Sequence, residues 1–190
     1  SASKGYLPGG YNNFASSGTE KENRFDAQTS INYEIGVKDS LLNDNLVLAG
    51  SIFYLDIEDI HVYSTDRTTG MMYTSNAGQA DSKGIELEIA YSINNNWKVD
   101  TSIGVMKARY SNYIDSNGED NKNNKIERTH SHSANIGLCY YSNGGFYGRF
   151  DIQNQGDMFF NAQNSLKQDS YTVADAKIGN LFDDFDIYTY

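Results

Sequence analysis

The strongest constraint on this chain is a strict two-residue alternation over residues 84–91, GIELEIAY. Gly84, Glu86, Glu88 and Ala90 fall on one side, and Ile85, Leu87, Ile89 and Tyr91 on the other. Side chains of a β-strand point to opposite faces in turn, so this stretch puts two carboxylates on one face and an apolar row on the other. Such a strand separates a wet compartment from an apolar one. The apolar side is either a protein core or a lipid bilayer.

The same period recurs along the chain. Over 30–38, Ile31, Tyr33, Ile35 and Val37 alternate with Ser30, Asn32, Glu34, Gly36 and Lys38. Over 133–141, Ala134, Ile136, Leu138 and Tyr140 stand opposite Asn135, Gly137 and Cys139. Over 146–153, Phe146, Phe150 and Ile152 stand opposite Tyr147, Arg149, Asp151 and Gln153. Further strands are expected over 1–6, 46–62, 97–110, 170–179 and 185–190; the alternation of 46–62 is blurred because both its rows carry apolar residues. About nine antiparallel segments result, and no segment has a convincing helical period.

Composition narrows the reading. Fifteen tyrosines against one tryptophan and one proline favour strands over disorder. A net charge of −10 argues against nucleic acid, whose phosphates need clustered Lys and Arg. The single cysteine, Cys139, allows no internal disulfide and offers no metal-site spacing. No apolar run approaches the roughly 18 residues of a membrane helix, which leaves strands as the only possible membrane-spanning element. The chain has no initiator Met and no signal peptide, so the start of the precursor is expected to lie elsewhere.

Connections alternate between tight turns, expected at 40–45, 92–96, 142–145 and 181–184, and long polar loops at 7–29, 65–75, 111–129 and 156–169. All tight turns therefore lie at one end of the sheet and all long loops at the other. Aromatics gather beside the tight turns: Tyr91 and Trp97, Tyr141 and Phe146, Phe182 and Phe185. A soluble antiparallel sandwich explains alternation equally well. Length discriminates, because soluble strands most often run about five or six residues and tilted membrane strands about 9–11. Several segments here reach nine or more. The expected fold class is all-β, an antiparallel up-and-down transmembrane β-barrel. Nine is odd where bacterial barrels are even, and open edges are costly in hydrocarbon, so the chain reads as an excerpt from a larger barrel.

The residues resemble the TonB-dependent outer-membrane receptors, ferric-siderophore receptors in particular. The stretches concerned are Lys4-Gly5-Tyr6 with Pro8-Gly9-Gly10-Tyr11-Asn12, Asn32-Tyr33-Glu34-Ile35-Gly36-Val37-Lys38, and Phe53-Tyr54 with Asp56-Ile57 and Asp59. Asn76-Ala77-Gly78, Gly84-Ile85-Glu86-Leu87-Glu88 and Tyr171 with Asp175 continue the series in order. The resemblance implies one barrel domain over residues 1–190, part of a 22-stranded barrel whose N-terminal plug, TonB-binding segment and remaining strands lie outside this chain. It implies residence in the outer membrane and contact with its lipid. It further implies import of a metal chelate such as a ferric siderophore, with energy from the TonB complex acting through the plug region. No enzyme activity, cofactor or resident metal is implied. A passive outer-membrane channel or an adhesive barrel without a plug is the alternative.

On this reading Glu34, Glu86, Glu88, Arg149 and Asp151 face the lumen as polar lining against plug or water. Tyr11, Asn12, Phe14, Met72, Tyr73, Tyr113, Phe159 and Phe160 fall in the long loops and are the candidates for first contact with a chelate. Other clusters carry less. Asp56 and Glu58 form an acidic pair without an orienting partner. His130 and His132 share a face at i,i+2, and a solvated loop base describes them better than a metal site. Residues 115–120, DSNGED, resemble a calcium loop, but the Gly comes too early for an EF-hand.

Overall fold

The alternating segments form one sheet. The computed structural model describes residues 1–12, 23–65, 70–115 and 118–190, with only the backbone of 64 and 65. Its strands are β1 (Ala2–Leu7), β2 (Gln28–Leu41), β3 (Leu46–Glu58), β4 (Gln79–Ser92), β5 (Trp97–Asn112), β6 (His132–Tyr141), β7 (Phe146–Gln155), β8 (Tyr171–Leu181) and β9 (Asp186–Thr189). All pair antiparallel in chain order, so each strand's neighbours in the sheet are its neighbours in sequence. The interior strands run from 10 to 16 residues, the length that separates a membrane wall from a soluble sandwich.

The register aligns side chains into rows across the sheet. Ile35, Ile52, Ile85 and Val105 are successive partners, and the next row on that face is Val37, Gly50, Leu87 and Ile103. Among the described residues nothing covers this face: Ile35 is 73% and Val37 71% exposed. The opposite face carries Gly36–Ser51–Glu86–Gly104 and Lys38–Ala49–Glu88–Ser102. One layer of sheet thus separates an uncovered apolar face from a polar one.

The four tight connections fall as expected. In the β2–β3 turn Leu42, Asn43 and Asp44 all have positive φ (55°, 53° and 66°), the left-handed conformation of tight hairpin turns. The aromatics gather beside the turns as expected, but in two of the three groups the rings contact other partners than each other. Trp97 packs on Tyr140 at 4.8 Å, and Tyr140 meets Phe146 at 6.3 Å. Tyr141 stacks instead with Tyr147 on the polar face, because period two sends consecutive residues to opposite sides. Phe182 and Phe185 stack at 4.6 Å, as their turn-flanking positions suggest.

The long-loop end is more structured than expected. The strand predicted over 46–62 ends at Glu58, where Asp59 takes φ 54° and re-aims the chain. His61–Thr65 then pairs with Met72–Asn76 in a hairpin of its own, so Met72 and Tyr73 lie in a strand rather than a loop. Smaller pairings join Gly10–Tyr11 to Arg24–Phe25 and Met158–Phe159 to Lys167–Gln168. The core sits here, beyond the apolar rows. Ile57, Ile60, Val62, Ala77, Ala80, Tyr110, Tyr113 and Ala162 pack together, drawn from the hairpin and both its flanks, from the end of β5 and from two later loops.

Candidate functional site

Two surfaces have the chemistry to act on something outside the chain, the polar face and the long-loop end. On the polar face the sequence-predicted residues share one side of the sheet, as the alternation required. Glu86 and Glu88 lie two apart on β4, and Glu34 stands across from Phe53, the partner of Gly84. Ser51 Oγ donates to Glu86 Oε2 at 3.5 Å, a long and weak contact, and Asn32 Nδ2 to Glu34 Oε2 at 3.4 Å. The glutamates with Lys38 line an open, shallow groove along β2, β3 and β4.

Nearer the tight turns Arg149 organises the wall. Its Nη1 and Nη2 donate to Asp100 Oδ1 and Oδ2 at 2.8 and 2.9 Å, and its Nε and Nη2 to the two oxygens of Asp151, each at 2.6 Å. Nη1 also reaches Cys139 Sγ at 3.0 Å. The planar guanidinium therefore spends its donors on two carboxylates at once, a fork that lysine cannot replace. Gly137 makes the space. It pairs with both Asp100 and Asp151, and a Cβ there would sit 2.8 Å from a carboxylate oxygen of each and collide with Arg149 Nη2. Asp100 and Gly137 are the members that sequence reading left out; their signal was register, since both fall in the row of Asp151.

At the loop end, polar side chains tie separate segments together. Asn76 Nδ2 donates to the carbonyls of Asp59 (2.7 Å) and Asp26 (3.0 Å), and its Oδ1 accepts the Asp26 N–H at 2.7 Å. Next to it Ala77 is fully buried. The Asn-Ala-Gly stretch is thus a joint between Asp59 at the end of β3 and Asp26 just before β2. Asn12 does the same against Thr74, its Nδ2 donating to the Thr74 carbonyl and its Oδ1 accepting the Thr74 N–H, both at 2.8 Å.

The β5–β6 and β7–β8 loops are fastened by a second set. Asn164 Oδ1 accepts the Lys125 N–H at 2.7 Å and its Nδ2 donates to the Lys125 carbonyl at 2.9 Å. Asn124 Nδ2 donates to the Ala162 carbonyl at 2.9 Å, and Gln163 Nε2 to Asp115 Oδ2 at 2.6 Å. Asp157 accepts from Lys125 Nζ at 2.8 Å and from Ser131 Oγ at 2.6 Å. Those two donors hold its carboxyl down at about 2, below the ordinary carboxylate range.

The predicted loop candidates divide by exposure. Tyr11, Met72 and Phe160 are exposed, and so are Tyr63, Ile114 and Leu166, which sequence reading did not single out. Phe159 is half-buried under Lys125 Nζ, 5.5 Å from its ring centre. Asn12 and Tyr73 are half-buried, with the Asn12 amide committed to the scaffold. Tyr113 is a correction: it is buried against Tyr110 at 4.9 Å and packs the core. Phe14 lies outside the described residues. Of the minor clusters, His132 Nε2 bonds Asn154 Oδ1 at 2.7 Å, and Asp115 is engaged with Gln163 and the Glu119 N–H. Among the described residues no group of three or more His, Cys, Asp or Glu could hold a metal ion.

Comparison with known proteins bears on the whole sheet. Residues 1–187 match the family described as TonB dependent receptor-like, beta-barrel. The chain is 30% identical over 176 residues to the pesticin receptor of Yersinia enterocolitica, covering 93% of this chain and 25% of the relative. It is 29% identical over 176 residues to the pesticin receptor of Yersinia pestis, with the same coverage. Among solved structures, the ferric yersiniabactin uptake receptor FyuA from Yersinia pestis superposes with a TM-score of 0.75 at 25% identity, over 94% of this chain and 26% of that one. The siderophore receptor PiuA from Acinetobacter baumannii shares the fold, with a TM-score of 0.73 at 16% identity over 94% and 26%. The chain spans about a quarter of the length of these relatives. Nine meandering strands with short turns at one end and long connections at the other are a section of such a wall, and the chain belongs to the TonB-dependent receptor β-barrel family.

Proposed function

We propose that this chain is part of the barrel wall of an outer-membrane active-transport receptor that takes up a metal chelate, a ferric siderophore, with energy delivered by the TonB system. The observation that carries the reading is the family match across residues 1–187, joined to relatives named for ferric-siderophore uptake. The geometry supports it. The uncovered apolar rows meet hydrocarbon, and the polar face with Glu34, Glu86, Glu88, Arg149 and Asp151 lines the lumen against a plug domain supplied by the rest of the protein. The long-loop end faces the exterior, where exposed Tyr11, Met72 and Phe160 offer aromatic and thioether surface to an arriving chelate.

Chemically the chain binds and positions; the iron is cargo and the wall does not react with it. The test is uptake of radiolabelled ferric chelates by a strain lacking the gene, complemented with the intact gene or an empty vector, with TonB intact or disrupted. A chelate taken up only with both the gene and TonB present is the expected outcome. Uptake that persists without TonB would make the protein a passive channel instead.

A further inference from the structure

The outward face carries, just beyond its apolar rows at the long-loop end, a feature that chelate transport does not use. One row consists of Tyr33, Tyr54, Lys83 and Lys107, successive partners across β2, β3, β4 and β5. Lys83 and Lys107 are therefore directly opposed across neighbouring strands, a placement of like charges that destabilises a sheet. Both are exposed, and neither has an ion-pair partner among the described residues. The adjoining row holds Lys4, Asp56, Asp81 and Arg109, with Asp81 accepting from Ser111 Oγ at 2.9 Å. Across the two rows four cations meet two carboxylates, an excess of positive charge on a chain whose net charge is −10.

Height places the row at a membrane boundary. Tyr91, in the girdle at the tight-turn end, is eight residues from Lys83 on the same strand. At about 3.3 Å per residue and a tilt of about 40°, that is roughly 20 Å along the membrane normal, near the roughly 25 Å apolar band of an outer-membrane barrel. Tyr33 and Tyr54 then occupy the aromatic girdle of the outer leaflet, and the lysines stand at the depth of lipid headgroups. An anion between two opposed ammonium groups relieves their repulsion, and at that depth the anion available is a headgroup phosphate.

We infer that Lys83 and Lys107, flanked by Tyr33 and Tyr54, form a binding site on the outer surface of the wall for the phosphate of a membrane lipid headgroup. This rests on the reading of the apolar face as lipid-facing. The test uses the whole receptor refolded into phosphatidylcholine vesicles containing phosphatidic acid, with K83Q/K107Q and K83R/K107R beside the native protein. Lipid retained after detergent extraction is counted by native mass spectrometry. Native protein and K83R/K107R are expected to keep a phosphatidic acid that K83Q/K107Q keeps at least about fivefold less well, in line with the attraction of basic side chains to anionic lipid. Equal retention by all three overturns the inference. Loss of the retained lipid on adding millimolar inorganic phosphate also overturns it, by assigning the pair to a soluble anion. Spin-labelled phosphatidylcholine checks the underlying reading separately: if the native protein immobilises none of it, the apolar face does not meet lipid and the site falls with that reading.

Discussion

Leu87 and Glu88 are chain neighbours that answer to different surroundings. Leu87 is four residues from Lys83 and four from Tyr91, which puts it midway through the apolar rows, uncovered between Gly50 and Ile103. Leu87→Arg is expected to cost about 2–4 kcal/mol in the intact barrel, read as a lowered urea midpoint of folding into lipid vesicles. Glu88→Gln, one residue on, faces the open groove and should leave that midpoint unchanged. A Leu87→Arg protein with a native midpoint would contradict a lipid-facing row. At this scale the sequence was a good guide to which side of the sheet a strand residue takes, as at Ile35, Glu86 or Phe150. It failed at Tyr113, because the ring that buries it, Tyr110, lies on the preceding strand, and chain position says nothing about what folds over a loop.

The elements differ in how their ends are held. Strands β2, β4, β6 and β7 were legible because period two persists through them, β3 was legible only as an apolar run with blurred rows, and the tight turns because Asn, Gly and Asp mark them. The hairpin of His61–Thr65 with Met72–Asn76 was not legible. Val62 joins the core while Tyr63 and Met72 stay exposed, so its two five-residue strands carry no apolar row long enough to show a period, and Asp59 breaks the strand without a proline or glycine to announce it. The fastening of the β5–β6 and β7–β8 loops rests in part on Asp157, beside the amide bonds of Asn164, Asn124 and Gln163, and its carboxyl titrates at about 2 when folded against about 3.9 in an unfolded chain. The unfolded loop therefore binds more protons between those values, so its contribution is complete above about pH 4 and is lost as pH falls through 2. Pepsin cleavage within residues 118–131 and 157–166 should accelerate over that interval in the native protein. Asp157→Asn should be cleaved faster than the native protein near pH 4 and lack that acceleration. A native protein with no such acceleration would mean that Lys125 and Ser131 do not hold the loop closed.

At the scale of the whole molecule the sheet has nine strands in sequential order, with β1 and β9 at its two edges. Strand edges present unpaired N–H and C=O groups, and here they border a face that none of the described residues covers. The 190-residue chain in detergent-free buffer is therefore expected to associate, sedimenting well above 21.2 kDa, and to disperse when detergent micelles are supplied. A cooperative monomer in buffer alone would contradict the assignment of the apolar face to lipid. The barrel class was legible from strand length and the segregation of turns from loops. The core at the long-loop end was not, since its members come from positions as distant as Ile57 and Ala162 and no local pattern joins them.

The sheet is one layer thick, with each strand residue committed to its apolar or its polar face, and this makes the chain unequally tolerant of changes in length. One extra residue within β4 would turn every side chain beyond it over, carrying Glu86 and Glu88 onto the uncovered apolar face and Leu87 onto the polar one. The same residue added among Leu42, Asn43 and Asp44 would disturb only a bend. Insertions and deletions among descendants of such a gene should accordingly collect at the bends and in the loops, while the strands drift by substitution alone.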